Sequence, residues 1–332
     1  MIKATVPETP SLPEKVRFLS QPQSYPELPA TVSVIETHFS YVFLTPSQVF
    51  KLKKPQRLPF LDLSALEARH RNCIEEVRLN RVLAPDVYLG VVTLRTDGRG
   101  NLTLTGQGQA VDHLVHMRRL DDGINLETRL KSGSANEAQV NLAAERLADF
   151  YRRAALSPPC GTAVRRTWCT TLAEELVEYL GAWNGGDRLR DLLLRWLDDH
   201  PSVLDQRSRV DAHGDLRPQH VYLGPDPVFI DRLEFDARLR ALDPVEELCF
   251  FTLECERLGA RWVGERFLER YAALSGDDRS PELEAFYEAG RALLWAVLSA
   301  RHLTTPSDGD ERWRQRARDY VQRGIRRLSH AP

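Results

Sequence analysis

No apolar run in the 332 residues approaches the roughly 20 needed to cross a bilayer. The first segment, MIKATVPETPSLPEKVRF, carries acids and prolines where a secretory leader carries an apolar core. A cytoplasmic protein without membrane contact is therefore expected. Cysteine is scarce: Cys73, Cys160, Cys169, Cys249 and Cys255 contain no C-x-x-C pair and no histidine at zinc-finger spacing. That speaks against structural zinc and a disulfide framework, and predicts reduced, mostly buried thiols. An excess of one charge is also missing. Lysine and arginine number 45 against 47 acids, a net charge of -2, which gives no reason to invoke nucleic acid or an anionic membrane as partner. No internal repeat or low-complexity tract is visible.

What is present is a folding composition, 42% hydrophobic, in a chain long enough for one large domain or two lobes. Residues 1–30 are rich in proline and read as an irregular arm. From Thr31 the segments TVSVIE, SYVFLT and QVFKLK are β-branched and aromatic, with Pro46-Ser47 as a turn, and predict three antiparallel strands. SALEARHRNCIEEVRLNRVL predicts one long helix, with Ser64 as N-cap and Glu67 completing a capping box. YLGVVTLRT and NLTLTGQG flank an Asp97-Gly98 turn, and VDHLVHMRRL reads as a further strand. After Leu120 the spacing turns helical: Leu142, Leu147, Phe150, Tyr151 and Ala154 share one predicted face, as do Leu172, Leu176, Tyr179 and Leu180. The expected layout is a small sheet-plus-helix lobe over 31–120 and a helical lobe over 121–332. The helical lobe is interrupted once, by a hairpin over 213–235.

That hairpin, HGDLRPQHVYLGPDPVFIDRLEF, is the most informative stretch. Asp215 precedes the first short strand and Asp231 closes the second. A hairpin presents both ends of its paired strands to one side, so the two carboxylates can serve one reaction. Phosphoryl transfer needs such a pair, one acid for a substrate hydroxyl and one for a cation bridging the phosphates. Either piece alone matches by chance; the two in this order, after a sheet-plus-helix lobe, carry the reading.

HGDLRPQHVYL…VFIDRLEFD resembles the aminoglycoside-phosphotransferase-like, or choline-kinase-like, branch of the protein-kinase fold. The chain is similar, more closely, to a bacterial group of uncharacterised phosphotransferase-like proteins. That group carries segments like FLDLSALEARHRNCIEEVRLNRVLAPDVYLGVV, HGDLRPQHV and IDRLEFD. The resemblance covers roughly residues 15–305 and implies a bilobal α+β kinase-like fold. It implies ATP with Mg²⁺ as co-reactants and a hydroxyl of a small molecule as acceptor. On this pattern Asp215 matches the catalytic aspartate and Asp231 the metal-binding aspartate. His220 stands where the wider family has a metal-binding asparagine. An imidazole there points either to ligation, favouring Mn²⁺, or to a hydrogen bond with Asp215.

The resemblance also implies a strand lysine for the α/β-phosphates, paired with a helix glutamate. Lys51 fits it best and Lys53 is the fallback, since both point to the same face of a strand. Glu76 is the matching acid, with Glu75 one helical step away. The turn at Glu36–Ser40 has no glycine, so Thr37 and Ser40, with His38, stand where a glycine-rich phosphate cradle is expected. Met117 falls at the adenine edge. In Asp243-Pro244-Val245-Glu246-Glu247-Leu248, Glu247 takes the place of an acid that braces the catalytic loop. Two alternatives remain open: a nucleotide-binding regulator without catalysis, and a kinase-fold nucleotidyl transferase.

Overall fold

Alternation in QVFKLK sets the organisation of the sheet. Phe50 and Leu52 go to one face, while Val49, Lys51 and Lys53 go to the other. The computed structural model describes residues 10–58, 61–97, 100–181, 183–277, 279–304 and 309–330. Within these the chain divides into two compact units. One carries the described residues up to Gly123 together with Val228–Ala237; the other carries Ile124–Pro227 and the described residues from Arg238 on. The stretch expected as one catalytic hairpin over 213–235 is thus shared out, Asp215 in the second unit and Asp231 in the first.

The first unit is built on strands β1 (Ser33–Glu36), β2 (Ser40–Leu44), β3 (Gln48–Lys53), β6 (Tyr88–Thr96), β7 (Leu102–Thr103) and β8 (Gln109–Arg118). A small antiparallel pair, β4 (Arg57–Leu58) and β5 (Leu61–Asp62), precedes helix α2 (Leu66–Asn80). The large sheet runs β1-β2-β3-β8-β6-β7, antiparallel throughout. NLTLTGQG contributes only the two residues of β7, and the main partner of β6 is β8. The turn expected at Asp97-Gly98 falls partly outside the described residues.

One face of the sheet packs Phe43, Phe50, Leu52, Leu94, Val111 and Leu114 against Leu19 and Tyr25 of the N-terminal segment. That segment was expected to be irregular; it contains helix α1 (Leu12–Leu19). Proline is tolerated in a first helical turn, and Ser11 and Glu14 close a capping box there, with Ser11 N donating to Glu14 Oε2 at 2.8 Å. A buried ion triad ties the helix down. Lys15 Nζ donates to Asp112 Oδ2 at 2.8 Å, and Arg69 of α2 donates to the same carboxylate at 2.8 and 3.0 Å.

The opposite face packs Cys73 and Val77 of α2 with Val115, Met117, Val228 and Ile230. Ser64 is not the cap of α2. Its hydroxyl donates to Asp62 Oδ1 at 2.5 Å, and the helix starts after Ala65 with no side-chain cap.

In the second unit, short strands β9 (Leu156–Ser157), β10 (Arg209–Asp211) and β13 (Ala241–Leu242) form an antiparallel ladder. Strand β11 (Val221–Tyr222) belongs here, and β12 (Val228–Phe229) to the first unit. The helices are α3 (Leu126–Ser132), α4 (Glu137–Arg153), α5 (Thr162–Leu180), α6 (Asn184–Asp199), α8 (Pro244–Arg257), α9 (Arg261–Ser275), α10 (Pro281–Ala300) and α11 (Asp310–Ser329), with a single turn α7 (Ala237–Arg240). Helix α8 is the centre, buried from Pro244 to Cys255. Asp243 caps it, accepting from Val245 N at 2.9 Å. Gly264 lets α9 close on α8, because a Cβ there would lie 2.3 Å from Thr252 Cα.

On α4 the buried face is Val140, Ala143, Ala144, Leu147, Ala148, Phe150 and Tyr151. Leu142, expected inside, is 42% exposed, since it lies a full 100° step off that stripe. The five cysteines are free thiols, four of them buried and Cys160 half-buried. Among the described residues no helix is long and apolar enough to cross a membrane.

Candidate functional site

In the first unit, β3 and α2 bring three predicted residues together. Lys51 Nζ lies 2.9 Å from Glu76 Oε1, and Lys53 pairs with the other oxygen of the same carboxylate. Glu76 therefore serves both lysines, and it is fully buried. Glu75, one step round the helix, faces outward and pairs with Arg78 at 2.6 Å. Lys51 also reaches Asp231 Oδ1 at 2.7 Å, and Lys53 pairs with Glu234. The result is a cluster of two ammonium groups and three carboxylates.

Its electrostatics follow from burial and charge. Burial pulls the Lys51 ammonium down, but Asp231 and Glu76 outweigh it and hold the pKa well above the usual lysine range. Glu76 is pushed up by burial and brought below its ordinary value by Lys51 and Lys53. Glu234 has Lys53 as its close partner, and burial prevails there, pushing its carboxyl up to about 7. Three acids against two lysines leave one negative charge over.

Asp231 sits at φ 61°, a left-handed conformation that costs a non-glycine residue about 1–3 kcal/mol. The strain is held from both sides. Asp231 N donates to the buried Tyr88 hydroxyl at 3.0 Å. Asn80, buried at the end of α2, accepts from Arg232 N at 2.8 Å and donates to Arg232 O at 3.2 Å. The Asp231 side chain is left 41% exposed. Glu234, Tyr88 and Asn80 carried no role in the sequence reading. The acid of IDRLEFD was visible there, but nothing in spacing says that it faces Lys53.

The remaining predicted residues of this unit lie apart from the cluster or at its edge. Thr37 closes the glycine-free turn: Ser40 N donates to Thr37 Oγ1 at 2.9 Å, and Thr37 Oγ1 donates to Ser40 O at 3.0 Å. Ser40 lies opposite Lys53 in the β2–β3 register, and its buried hydroxyl has no hydrogen-bond partner. Met117 is buried on the α2 side of the sheet beside Val49, Val228 and Ile230.

In the second unit, the loop from His213 to Arg217 is organised by a carboxylate of α8. Glu247 accepts from His213 N at 3.0 Å, from Gly214 N at 2.5 Å and from the Tyr151 hydroxyl at 2.7 Å. Gly214 has φ 90°, open to glycine at little cost. Burial raises the Glu247 carboxyl despite these three donors. Asp215 Oδ2 accepts from Arg217 Nη2 at 2.6 Å. His220 is buried, and its Nδ1 lies 2.8 Å from the Asp215 carbonyl oxygen. Only a protonated Nδ1 can donate there, so the neutral ring presents Nε2 as acceptor, with the Gln219 amide nitrogen 3.4 Å away. Both ring nitrogens lie within hydrogen-bonding distance of a partner.

Among the described residues no group of three or more His, Cys, Asp or Glu side chains is placed to hold a metal. Mg²⁺ in phosphoryl-transfer sites takes one or two carboxylates and completes its shell with phosphates and water. The part-exposed Asp231 carboxylate fits that donor set.

No protein-family model matches the chain. Uncharacterised proteins of Mycobacterium tuberculosis and Mycobacterium bovis are 32% identical over 280 residues, covering 80% of this chain and 54% of theirs. The chain thus spans about half the length of the curated relatives it matches. A choline/ethanolamine kinase family protein from Mesorhizobium loti superposes with a TM-score of 0.54 at 12% identity, covering 95% of this chain and 98% of that one. Spectinomycin phosphotransferase, solved with ADP and spectinomycin, gives 0.50 at 12% identity, covering 91% and 93%. In fold, then, this chain is similar to a choline/ethanolamine kinase family protein and to spectinomycin phosphotransferase, an α+β architecture of two units.

Proposed function

We propose that the chain is an ATP-dependent phosphotransferase acting on a hydroxyl of a small molecule, with Mg²⁺ as its cation. The observation that carries this reading is the Lys51–Glu76–Asp231 cluster, with a strained, part-exposed acid at its rim. Strain kept at such a position by two flanking hydrogen-bond systems is expected of a working residue. The spectinomycin phosphotransferase neighbour holds ADP, which supports a nucleotide here.

Lys51 is the proposed partner of the α/β-phosphates, held by Glu76. Lys53, fully buried, positions Glu76 and the 231–234 segment. Asp231 is the proposed metal ligand, and the bound Mg²⁺ would neutralise charge on the phosphates. The orphaned Ser40 hydroxyl supports a phosphate contact at the glycine-free turn, and Met117 would line the adenine side. Asp215 orients the acceptor hydroxyl and takes its proton as that oxygen bonds to the γ-phosphorus. The bond from γ-phosphorus to the β–γ bridging oxygen breaks, and ADP leaves. His220 holds the loop through the Asp215 carbonyl, and Mg²⁺, which takes oxygen ligands such as the Asp231 carboxylate, is the proposed ion.

The glycine-free turn favours a second reading, nucleotide binding without transfer. Thermal melting separates nucleotide binding from no binding: MgATP raises the melting temperature, because a ligand of the native state alone stabilises it. An unmoved melt at millimolar MgATP contradicts both readings. Acceptor-dependent ADP release then distinguishes the enzyme from the regulator.

A further inference from the structure

The proposed reaction leaves its acceptor open, and the second unit carries a charge pattern that narrows it. The Arg217 guanidinium beside Asp215 lies 5.0 Å over the ring of Trp295. Trp295 in turn neighbours Tyr320, ring centroids 6.4 Å apart. Arg316 lies 5.8 Å from the Tyr320 ring and 5.6 Å from the Trp313 ring, and Trp313 stacks on His302 at 3.8 Å. A path of rings and guanidinium groups therefore leads from the catalytic-loop aspartate to one face of α11, where Arg312, Trp313, Arg316 and Tyr320 recur at helical spacing.

Several arginines of the unit's interior are matched to acids. Arg165 pairs with Glu246, Arg207 with Asp243 and Asp277, Arg261 with Glu288, and Arg323 with Glu256. Among the described residues neither Arg312 nor Arg316 has an acidic partner. The buried Nε of Arg316 has no hydrogen-bond partner, and its Nη2 reaches only the Tyr320 hydroxyl, at 3.5 Å. Of the acids nearest in sequence, Asp308 lies outside the described residues, and the others are committed elsewhere or lie at the helix start. Asp319 pairs with Arg323, Glu254 takes Arg257 and the Tyr320 hydroxyl, and Asp310 and Glu311 occupy the first turn.

Resting on the phosphotransferase reading, we infer that the acceptor is an anionic hydroxyl compound, phosphorylated or carboxylated, bound by Arg316 and Arg312 between the rings of Trp313 and Trp295. Guanidinium forks match phosphate and carboxylate oxygens in geometry and charge. Ring faces alone would accept a quaternary ammonium or a polyamine, but two cations with no acidic partner among the described residues, interleaved with the rings, repel such ligands. An aminoglycoside or choline is a poor fit.

The test is melting and calorimetry of the full chain without nucleotide. The anions glucose 6-phosphate, glycerate and glycerol 3-phosphate are set against the cations glucosamine and choline. At least one anion should raise the melting temperature, and neither cation should. Arg316→Ala should weaken that binding by about tenfold or more, the worth of a charge-assisted hydrogen bond. Arg316→Lys should restore part of it, and the exposed Arg312→Ala should weaken it less. No response to any of the three anions, a response to glucosamine or choline instead, or unchanged anion binding in both arginine-to-alanine variants overturns the inference. The MgATP melt, run on the same samples, reports the nucleotide reading separately, so either can fail alone.

Discussion

The two candidate clusters, one in each unit, are held by different means. In the first unit Lys51, Lys53, Glu76, Asp231 and Glu234 fix one another mainly by charge, with Tyr88 and Asn80 holding the backbone at Asp231 and Arg232. In the second unit one carboxylate, Glu247, fixes a loop through two backbone N–H groups and a tyrosine hydroxyl. A charge cluster responds to deletion of any member, because a buried charge left alone is costly. A backbone brace responds to reach and acceptor number instead. The same chemistry thus has two kinds of weak point.

The largest effect is expected from Glu76→Ala. It strips the shared carboxylate from two buried lysines, and the cost should be about 3–5 kcal/mol in denaturant unfolding. A loss under about 1 kcal/mol would mean that Glu234 and Asp231 suffice, and the cluster would not be a unit.

Within the cluster, Lys51 and Lys53 should separate. Lys51 is 15% exposed and Lys53 not at all. Lys51→Ala should lose most MgATP binding, while Lys53→Ala should lose mainly stability. The reverse order would exchange their roles and leave the fold untouched.

On the loop side, Glu247→Gln keeps an acceptor oxygen but replaces the other with a donor facing an N–H. Stability should fall by about 1–3 kcal/mol, less than for Glu76→Ala. Equal losses would erase the contrast between the two clusters.

A further effect is a pH slope. The Glu234 carboxyl is raised to about 7 by burial, from an ordinary value of 4.5. Between those values the unfolded chain has released the proton that the folded chain keeps, so stability falls as pH rises from about 4.5 to 7 and then levels. Glu234→Gln should flatten that segment of the curve. An unchanged slope would assign the proton elsewhere in the cluster.

Much of this arrangement was legible before any coordinates. Period-two alternation put Lys51 and Lys53 on one face, and the structure has them there; the family match preferred Glu76 to Glu75, and Glu76 is the buried one, with Glu75 turned to Arg78. The loop acid in Asp-Pro-x-x-Glu was visible as a brace, because motif position carries that information. What escaped depended on partners distant in sequence. Glu234 meets Lys53 across 181 positions, and Lys15 meets Asp112 across 97. Local pattern says nothing about such pairs. The cap of α2 and the helix in the N-terminal segment were misread for a different reason. Ser64 had a nearer acceptor in Asp62, and proline was taken as a breaker where it stands in a first turn.

The central claim is a division of labour between Asp231 and Asp215, and calorimetric MgATP binding to Asp231→Asn and Asp215→Asn tests it most directly. The account predicts that Asp231→Asn binds MgATP at least about tenfold more weakly than the parent, having lost a charged ligand to the cation. Asp215→Asn should bind it nearly as the parent does and fail only in acceptor-dependent ADP release. Parent-like MgATP binding by Asp231→Asn, or loss of binding in Asp215→Asn alone, would contradict it.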